Sequence, residues 1–240
     1  MKIVIPMAGK SSRFYNAGYK IPKHMIEVKG KTLMQYSIDS IPISNNDKVI
    51  FIALREHDSL YKLKKNINQI FPNLNFELIL IDTETRGQSE TVMAARDFID
   101  DDEELLIYNI DTFFKSKTLL GILNKTENKN DGVLGAFLNT TSESHWSFAR
   151  INKNNFVAEV REKEKISDYA LTGLYHFSKS KYFFRTAEKH IENNILQKGE
   201  FYIAPLYNDL IDEGKNFKLD IVDEFIPLGT PKEVKIFERT

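Results

Sequence analysis

A run of small residues followed by a basic residue comes directly after the first apolar segment of the chain. Residues 2–7 are apolar except at their start, and the loop Ala8-Gly9-Lys10-Ser11-Ser12 leads from them to Arg13. Small residues let backbone N–H groups approach phosphate oxygens, and a guanidinium adds a bidentate contact. Neither a P-loop nor a dinucleotide fingerprint is present, because both glycine spacings are missing. Taken alone, the loop is equally typical of a turn with a surface arginine.

Two charged residues also occupy positions suited to phosphate chemistry. Lys23 follows Pro22, whose ring fixes the backbone, so its ammonium group can meet a phosphate as a point charge. Asp111 follows the apolar run 105–108, and open α/β sheets bind ligands at the carboxyl ends of such strands. Mg²⁺ takes one or two carboxylates together with phosphate oxygens. The alternatives are a solvated lysine and a helix N-cap before Phe113.

A third candidate is the segment 85–91, between an apolar run and a helix-period stretch. Its glycine, Gly87, permits close approach of a flat ring, and the helix that follows begins with unpaired N–H donors. The alternative is an ordinary helix start.

Composition excludes several classes of function. The 240 residues include 33 basic and 34 acidic ones, so the chain has no overall field to attract nucleic acid or an acidic membrane. Cysteine is absent, which excludes disulfides, thiolate zinc sites and cysteine nucleophiles. The N-terminal apolar run is broken by Pro6 and ends at Gly9, too short for a signal sequence or membrane span. We therefore expect a cytoplasmic protein.

The order of the elements that must position these residues predicts an α/β fold. Strands are predicted at 2–7, 48–54, 76–81 and 104–108, with helices at 32–40, 58–70 and 89–98. This alternation predicts a Rossmann-like α/β/α sandwich with a mostly parallel, doubly wound central sheet. The second half is richer in strands, at 132–138, 148–151, 156–162, 170–177 and 217–222, and has helices near 181–192 and 205–213.

The segments 6–14 and 18–23 together resemble the signature of the sugar-phosphate nucleotidyltransferases, in particular members associated with capsule and lipopolysaccharide synthesis. The resemblance implies that the first loop cradles the triphosphate of an NTP and that Lys23 contacts phosphate near the reacting centre. It implies nucleotide binding by Met7, Ala8, Gly9, Ser11, Ser12, Arg13, Gly87, Gln88 and Ser89. It also makes Asp111 the ligand of Mg²⁺, so that Arg13, Lys23 and Asp111 would be the catalytic residues.

The resemblance continues more loosely into the second half. Segments 160–163 and 169–175 are similar to the family's acceptor-binding region, and 228–231 is similar to its closing Gly-Thr turn. The resemblance implies acceptor binding by Trp146, Glu162, Lys163, Thr172 and Gly173. We therefore predict one domain over 1–240, with an NTP-binding half at 1–130 and a strand-rich acceptor-binding half at 131–240.

The chain departs from the family pattern at two positions. Ser11 stands where the family usually has a second glycine, and Pro227 stands where many members have a second metal-binding aspartate. We expect Asp220 or Asp223 to supply a compensating ligand. The other arrangement holds the ion by Asp111, phosphates and water alone.

The activity implied is Mg²⁺-dependent transfer of a nucleoside monophosphate from an NTP to a small phosphorylated acceptor, most often a sugar 1-phosphate, with release of pyrophosphate. A CTP-dependent enzyme acting on a non-sugar phosphate such as phosphocholine is one alternative. A glycosyltransferase is another, although Asn109-Ile110-Asp111 lacks the first carboxylate of its usual Asp-x-Asp motif. The two departures also leave open a non-catalytic nucleotide-binding subunit. No nucleic-acid or membrane partner is expected, and homo-oligomerisation is left open.

Overall fold

The computed structural model describes residues 1–124 and 130–240. Residues 125–129, near the end of the predicted NTP-binding half, lie outside the described residues. Within the described ranges the strands are β1 Lys2–Pro6, β2 Glu27–Val28, β3 Lys31–Thr32, β4 Lys48–Leu54, β5 Phe76–Ile81, β6 Leu105–Tyr108, β7 Thr112–Lys115, β8 Gly132–Leu138, β9 Ser147–Ile151, β10 Val157–Glu162, β11 Tyr169–Phe177, β12 Phe217–Ile221 and β13 Glu224–Pro227. The helices are α1 Ser12–Asn16, α2 Leu33–Ser40, α3 Arg55–Tyr61, α4 Leu63–Ile70, α5 Gln88–Met93, α6 Leu119–Leu123, α7 Ser180–Glu192, α8 Leu206–Asp212 and α9 Pro231–Arg239.

The first half of the chain builds the parallel part of a nine-stranded sheet, in the order β5-β4-β1-β6. Side chains alternate between two buried faces: Ile3 and Ile5 pack on one side of β1 and Val4 on the other. A strand covered on both faces needs apolar residues at nearly every position, which is why these segments are continuous apolar runs. The predicted doubly wound α/β architecture is confirmed.

The second half adds mainly antiparallel strands to the same sheet. Strand β11 lies antiparallel to β6, β8 lies antiparallel to β11, and β12 lies parallel to β8. A further antiparallel pair, β9 and β10, attaches to the amino-terminal part of β11. The sheet is therefore parallel at its centre and mixed as a whole.

Strand β11 changes its neighbour at Gly173. Leu174 to Phe177 pair with β6, whereas Ala170 pairs with Phe148 of β9. Gly173 has a φ of 88°, in the left-handed region that glycine adopts readily. The part of β11 before Gly173 therefore extends past the carboxyl end of β6. The strand-rich part of the second half lies beside the edge of the sheet where the parallel strands end.

Two predicted helices differ from the observed ones. The helix predicted at 58–70 is interrupted at Lys62, whose φ of 53° is left-handed, and the chain forms α3 and α4 instead. The helix predicted at 89–98 ends at Met93 and is followed by the 3-10 turn Arg96–Phe98. Apolar periodicity does not detect such breaks, because one irregular residue barely changes the spacing.

Several short elements were not predicted from the sequence. They include α1, α9 and the small antiparallel pair of β7 and β13. This pair matters for the site, because it places Pro227 opposite Thr112, directly after Asp111. No helix in the described ranges is long and apolar enough to cross a membrane.

The break at Lys62 generates a stability prediction. Replacing Lys62 by glycine removes the Cβ that disfavours a left-handed backbone, so Lys62→Gly should raise the free energy of unfolding by about 1 kcal/mol. Equilibrium urea denaturation at 25 °C measures this change. The matched control is Lys65→Gly, at an exposed position inside α4, which should lower stability by about 1 kcal/mol. Equal destabilisation by both substitutions would contradict the prediction.

Candidate functional site

A crevice opens at the carboxyl ends of β1 and β6. The chain continues from β1 to β4 on one side of the sheet and returns to β6 on the other, so the strand order reverses between β1 and β6. Ligands of open α/β sheets bind at such a point. A cavity of about 600 Å³ occupies the crevice, and it is lined by residues from the loop after β1, the segment 84–88, the segment 109–111 and the segment 199–200.

The loop after β1 presents backbone rather than large side chains to this cavity. Ala8 and Gly9 line the cavity, while the side chain of Met7 is buried in the core. Ser11 has a φ of 56°, a left-handed conformation that suits the glycine usual in the family. Its hydroxyl oxygen accepts a hydrogen bond from the Lys23 N–H at 2.9 Å. Ser11 therefore keeps the loop conformation and fixes the segment that bears Lys23.

Lys23 and Asp111 form an ion pair at the end of the cavity. The distance from Lys23 Nζ to Asp111 Oδ2 is 2.7 Å, and both residues line the cavity. Their side chains are 24% and 18% exposed, so the pair is partly shielded from water, which strengthens it. Strand β7 follows Asp111 directly, so Asp111 does not cap a helix. The structure brings these two predicted residues together across 88 positions of sequence.

The segment expected to form the nucleobase pocket is held by Phe201. A Cβ on Gly87 would lie 2.6 Å from the Phe201 carbonyl oxygen, so this glycine is needed for close approach of protein backbone rather than of a ring. Ser89 is fully buried, and both its N–H and its hydroxyl donate to the same oxygen. Gln88 does line the cavity, where its Nε2 donates to Asn109 Oδ1 at 2.5 Å. Of the predicted residues here, Gly87 and Gln88 face the cavity and Ser89 does not.

Glu162 and Lys163 lie at the end of β10, where a hydroxyl group contacts each of them. Glu162 is 8% exposed and accepts a hydrogen bond from the Ser147 hydroxyl. Burial raises the pKa of Glu162, while that hydrogen bond opposes the rise. Lys163 has a left-handed φ of 53°, and its Nζ donates to the Tyr202 hydroxyl at 2.5 Å. Tyr202 in turn donates to Glu200 at 3.0 Å, which links Lys163 to the lining of the cavity.

The other predicted acceptor-binding residues are placed less directly. Trp146 is half-buried, and its ring packs edge-on against Phe137 at 5.2 Å between centroids. Thr172 is 1% exposed and packs against Gly135, where a Cβ would lie 3.6 Å from the Thr172 Cβ. Its side chain is therefore part of the protein interior. Gly173 is buried, and the absence of a side chain at this position leaves space for the side chain of Asn109.

Arg13 and Ser12 begin the short helix α1 and are exposed. Neither residue belongs to the lining of the cavity. Burial and the neighbouring Glu200 raise the pKa of Tyr202, and the charge of Arg13 is close enough to oppose this rise. Arg13 therefore lies on the side of the crevice that also holds Lys163.

Asp220 and Asp223 lie away from Asp111. Asp220 is fully buried and accepts hydrogen bonds from the hydroxyls of Ser116 and Thr118. Asp223 accepts from the Lys117 N–H, beyond the far end of β7 from Asp111. The four residues of that strand span roughly 13 Å. Neither aspartate can share an ion with Asp111 in this structure, and the position of each is explained by the hydrogen bonds that it accepts.

Comparison with known proteins agrees with this arrangement. The model of the family described as "Nucleotidyl transferase" matches residues 2–221. The chain belongs to the nucleotidyltransferase family. The crystal structure of the nucleoside-diphosphate-sugar pyrophosphorylase from Vibrio cholerae RC9 superimposes with a TM-score of 0.83 and is 33% identical, covering 99% of this chain and 100% of that one.

More distant relatives of this nucleotidyltransferase are found among curated proteins. The bifunctional protein GlmU of Methanocaldococcus jannaschii is 24% identical over 98% of this chain and 52% of its own length. A UTP–glucose-1-phosphate uridylyltransferase from Komagataeibacter xylinus is 25% identical over 61% of this chain and 58% of its own length. The chain thus spans little more than half the length of these two relatives.

Nucleotidyltransferases of this family generally use a divalent metal ion, and the side chains at the crevice fit such an ion only in part. The described ranges contain no group of three or more His, Cys, Asp or Glu side chains placed to hold a metal. Asp111 nevertheless offers a partly exposed carboxylate at the end of the cavity. Mg²⁺ commonly combines one or two carboxylates with phosphate oxygens and water, so the donor set is compatible with it.

Several residues at the site were not predicted from the sequence, and Asn109 and Tyr202 are two of them. Asn109 lines the cavity, and its side chain occupies the space left by Gly173, where a Cβ would lie 2.5 Å from the Asn109 Cγ. Its position at a strand end, next to Asp111, was a usable signal. Tyr202 had no comparable signal, because only the tertiary structure brings its loop to Lys163.

The histidine after Lys23 makes stability depend on pH. His24 is 1% exposed and lies 5.7 Å from His57 between ring centroids. Burial, with further contributions from His57 and Lys23, lowers the pKa of His24 from 6.5 to about 3. The folded protein therefore binds fewer protons than the unfolded chain below pH 6.5. The contribution of neutral His24 is complete above that pH and is lost as the pH falls toward 3.

We expect His24→Phe to reduce this acid sensitivity. One buried histidine contributes a slope of up to about 1.4 kcal/mol per pH unit, and the variant lacks the group that must be protonated. Urea denaturation at steps between pH 7 and pH 4 measures the slope, with His145→Phe, at an exposed position, as control. An unchanged slope in His24→Phe would show that other groups govern acid unfolding.

The contact between Tyr202 and Lys163 generates a kinetic prediction. Tyr202→Phe keeps the ring but removes the hydroxyl that contacts the ammonium group of Lys163. If Lys163 binds an acceptor phosphate, as the resemblance implies, KM for the phosphorylated acceptor should rise about tenfold while KM for the NTP is unchanged. Steady-state kinetics with each substrate varied in turn measure the two constants. Tyr182→Phe is the matched control, because the Tyr182 ring holds Lys215 in a similar pair at 4.7 Å elsewhere on the surface. Equal changes in both KM values would contradict a role confined to the acceptor.

Proposed function

We propose that this protein transfers a nucleoside monophosphate from an NTP to a sugar 1-phosphate and releases pyrophosphate. The observation that carries the proposal is the ion pair of Lys23 and Asp111 at the end of the cavity, beside the small-residue loop after β1. An ammonium group, a carboxylate and accessible backbone of the small-residue loop lie close together there. Transfer between two phosphorylated substrates requires groups of this kind to bind phosphate and a metal ion. Membership of the nucleotidyltransferase family supports the same reaction class.

The chemistry asks little of the protein beyond position and charge. An acceptor phosphate oxygen attacks the α-phosphorus in line, a bond to that phosphorus forms, and the bond to the pyrophosphate oxygen breaks. Because the acceptor oxygen is already anionic, no strong general base is needed, and catalysis depends on alignment and on offsetting negative charge. Lys23 would contact the reacting phosphate and Arg13 the triphosphate, while Lys163 would hold the acceptor phosphate.

Asp111 would hold a magnesium ion, and the ion would neutralise the charge of the NTP phosphates. In the structure Asp111 is occupied by Lys23 at 2.7 Å. Lys23 would leave Asp111 when that carboxylate takes a metal ligand's role, and its ammonium group would then turn toward phosphate oxygens of a bound NTP. The ion pair thus holds both groups at the end of the cavity, close to where the phosphates would bind.

The finer assignment is a role in precursor synthesis for a capsule or another surface glycan. It is supported by the resemblance of segments 6–14 and 18–23 to members of that group and by the 33% identity to a nucleoside-diphosphate-sugar pyrophosphorylase. The uridylyltransferase relative makes UTP a donor to test first.

A second candidate is CTP-dependent transfer to a non-sugar phosphate that carries a quaternary ammonium group, such as phosphocholine. A specific observation favours it: the buried carboxylate of Glu162 lies near two aromatic side chains, Tyr175 and Tyr202. Burial raises the pKa of both tyrosine hydroxyls, and the nearby charge of Glu162 raises it further. A carboxylate beside aromatic rings is chemistry that attracts such cations.

The test is a matrix of the four NTPs against phosphorylated acceptors, including hexose 1-phosphates and phosphocholine, with Mg²⁺ and continuous detection of pyrophosphate. We expect pyrophosphate release with one hexose 1-phosphate and one preferred NTP. Release with phosphocholine and CTP alone would select the second candidate. NTP binding by calorimetry without release in any pair would indicate a non-catalytic subunit, and cleavage of a nucleotide-sugar without pyrophosphate would indicate a glycosyltransferase.

The variant Asp111→Asn tests whether the reaction takes place at this site. It preserves the shape of the side chain but removes the charge that a hard cation and Lys23 prefer, so turnover should fall by about a hundredfold or more. Folding is checked by thermal denaturation. A variant that keeps wild-type turnover across a Mg²⁺ titration would show that the reaction does not use this end of the cavity.

A further inference from the structure

Two carboxylates flank Gly229 in the turn that precedes α9. A Cβ placed on Gly229 would lie 3.1 Å from Asp111 Oδ2 and 3.8 Å from Glu233 Oε2. The two carboxylate oxygens are therefore both within 4 Å of one point. The Leu228 N–H donates to the Asp111 carbonyl oxygen at 2.9 Å, which holds this turn against the end of β6.

Glu233 does not perform the capping role that its position in the helix offers. The Thr230 hydroxyl caps α9 by accepting from the backbone N–H of Glu233 at 3.3 Å. In a complete capping box the third helical side chain returns to the N-cap N–H, and Gln35 does so at Thr32 of α2, at 2.8 Å. The side chain of Glu233 makes no such bond, and its Oε2 instead lies 3.8 Å from the position that a Cβ on Gly229 would take.

Of the two carboxylates near Gly229, only Asp111 has a positively charged partner. Lys23 offsets the charge of Asp111. Within residues 1–124 and 130–240, the Glu233 carboxylate has no ion pair or hydrogen-bond donor of its own, and the residue is half-buried. A half-buried carboxylate without a partner favours binding of a positive charge.

We infer that Glu233 is the second protein carboxylate of the divalent-cation site at Asp111, in the place of the side chain that Pro227 does not supply. The inference deepens the proposed function and rests on it. Oxygen ligands of one magnesium ion lie about 3 Å apart, so binding would require the Glu233 side chain to turn toward Asp111. The ligand comes from the first turn of α9 and not from β13, so the fold keeps a second carboxylate although the strand position is a proline.

The test measures metal binding directly, with Mn²⁺ as the probe and electron paramagnetic resonance of the free ion as the readout. The full chain is titrated without nucleotide. Glu233→Gln should weaken Mn²⁺ binding about tenfold or more, and Asp111→Asn at least as strongly. Glu238→Gln, at an exposed position of the same helix, should leave the Kd at the wild-type value. Added Mg²⁺ should displace Mn²⁺ from the wild-type protein.

A second variant and measurements of thermal stability distinguish a loss of metal binding from damage to α9. Glu233→Gln keeps the Thr230 cap, because that cap uses the backbone N–H of residue 233. Glu233→Asp retains the charge on a shorter side chain, so it should bind Mn²⁺ more tightly than Glu233→Gln at similar thermal stability. Wild-type affinity in Glu233→Gln overturns the inference.

The outcomes distinguish this inference from the proposed function. Mn²⁺ binding that depends on Glu233 in a protein without pyrophosphate release in any substrate pair supports the cation site and rejects the activity. Release by the wild-type protein, together with Mn²⁺ binding that requires Asp111 but not Glu233, rejects the inference and keeps the activity. A wild-type protein that does not bind Mn²⁺ at millimolar concentrations overturns the inference.

Discussion

The ion pair between Lys23 and Asp111 depends on chain segments that are far apart in sequence, and it explains much of the local structure. On one side, the left-handed Ser11 accepts the Lys23 N–H and fixes the loop after β1. On the other, the Leu228 N–H holds the carbonyl of Asp111. A partly shielded pair gains more from its attraction than an exposed one, but only when both groups are held in place. These backbone contacts supply that constraint.

The two halves of the crevice meet at contacts that need glycine. Gly173 leaves space for the Asn109 side chain, which accepts a hydrogen bond from Gln88. Gly87 leaves space for the backbone of Phe201, whose neighbour Tyr202 contacts Lys163 on the acceptor side. The positions expected to bind nucleotide and acceptor are therefore connected through close packing at these two glycines. A change in either glycine would alter both sides of the crevice together.

The sequence predicted the parts of this protein that depend on local pattern. Apolar runs covered on both faces located β1, β4 and β6. Two charged residues that the sequence singled out, Lys23 after Pro22 and Asp111 after β6, proved to be in contact. Asp220 and Asp223 could not be placed in this way, because sequence proximity to the Gly-Thr turn does not reveal that β7 and β13 run antiparallel and separate them from Asp111. The break at Lys62 was missed for a related reason, since one backbone angle leaves no trace in apolar spacing.

Some residues other than glycine have a left-handed backbone conformation, and their side-chain contacts differ between the crevice and the rest of the protein. A Cβ in that conformation costs roughly 1 kcal/mol, so the side chain should make a contact that offsets the cost. Ser11 and Lys163 do so, through the Lys23 N–H and the Tyr202 hydroxyl respectively. At Lys62 the break requires only the turn between α3 and α4, which glycine can also form. At these three positions, the left-handed backbone accompanies a side-chain contact at Ser11 and Lys163, and only a helix junction at Lys62.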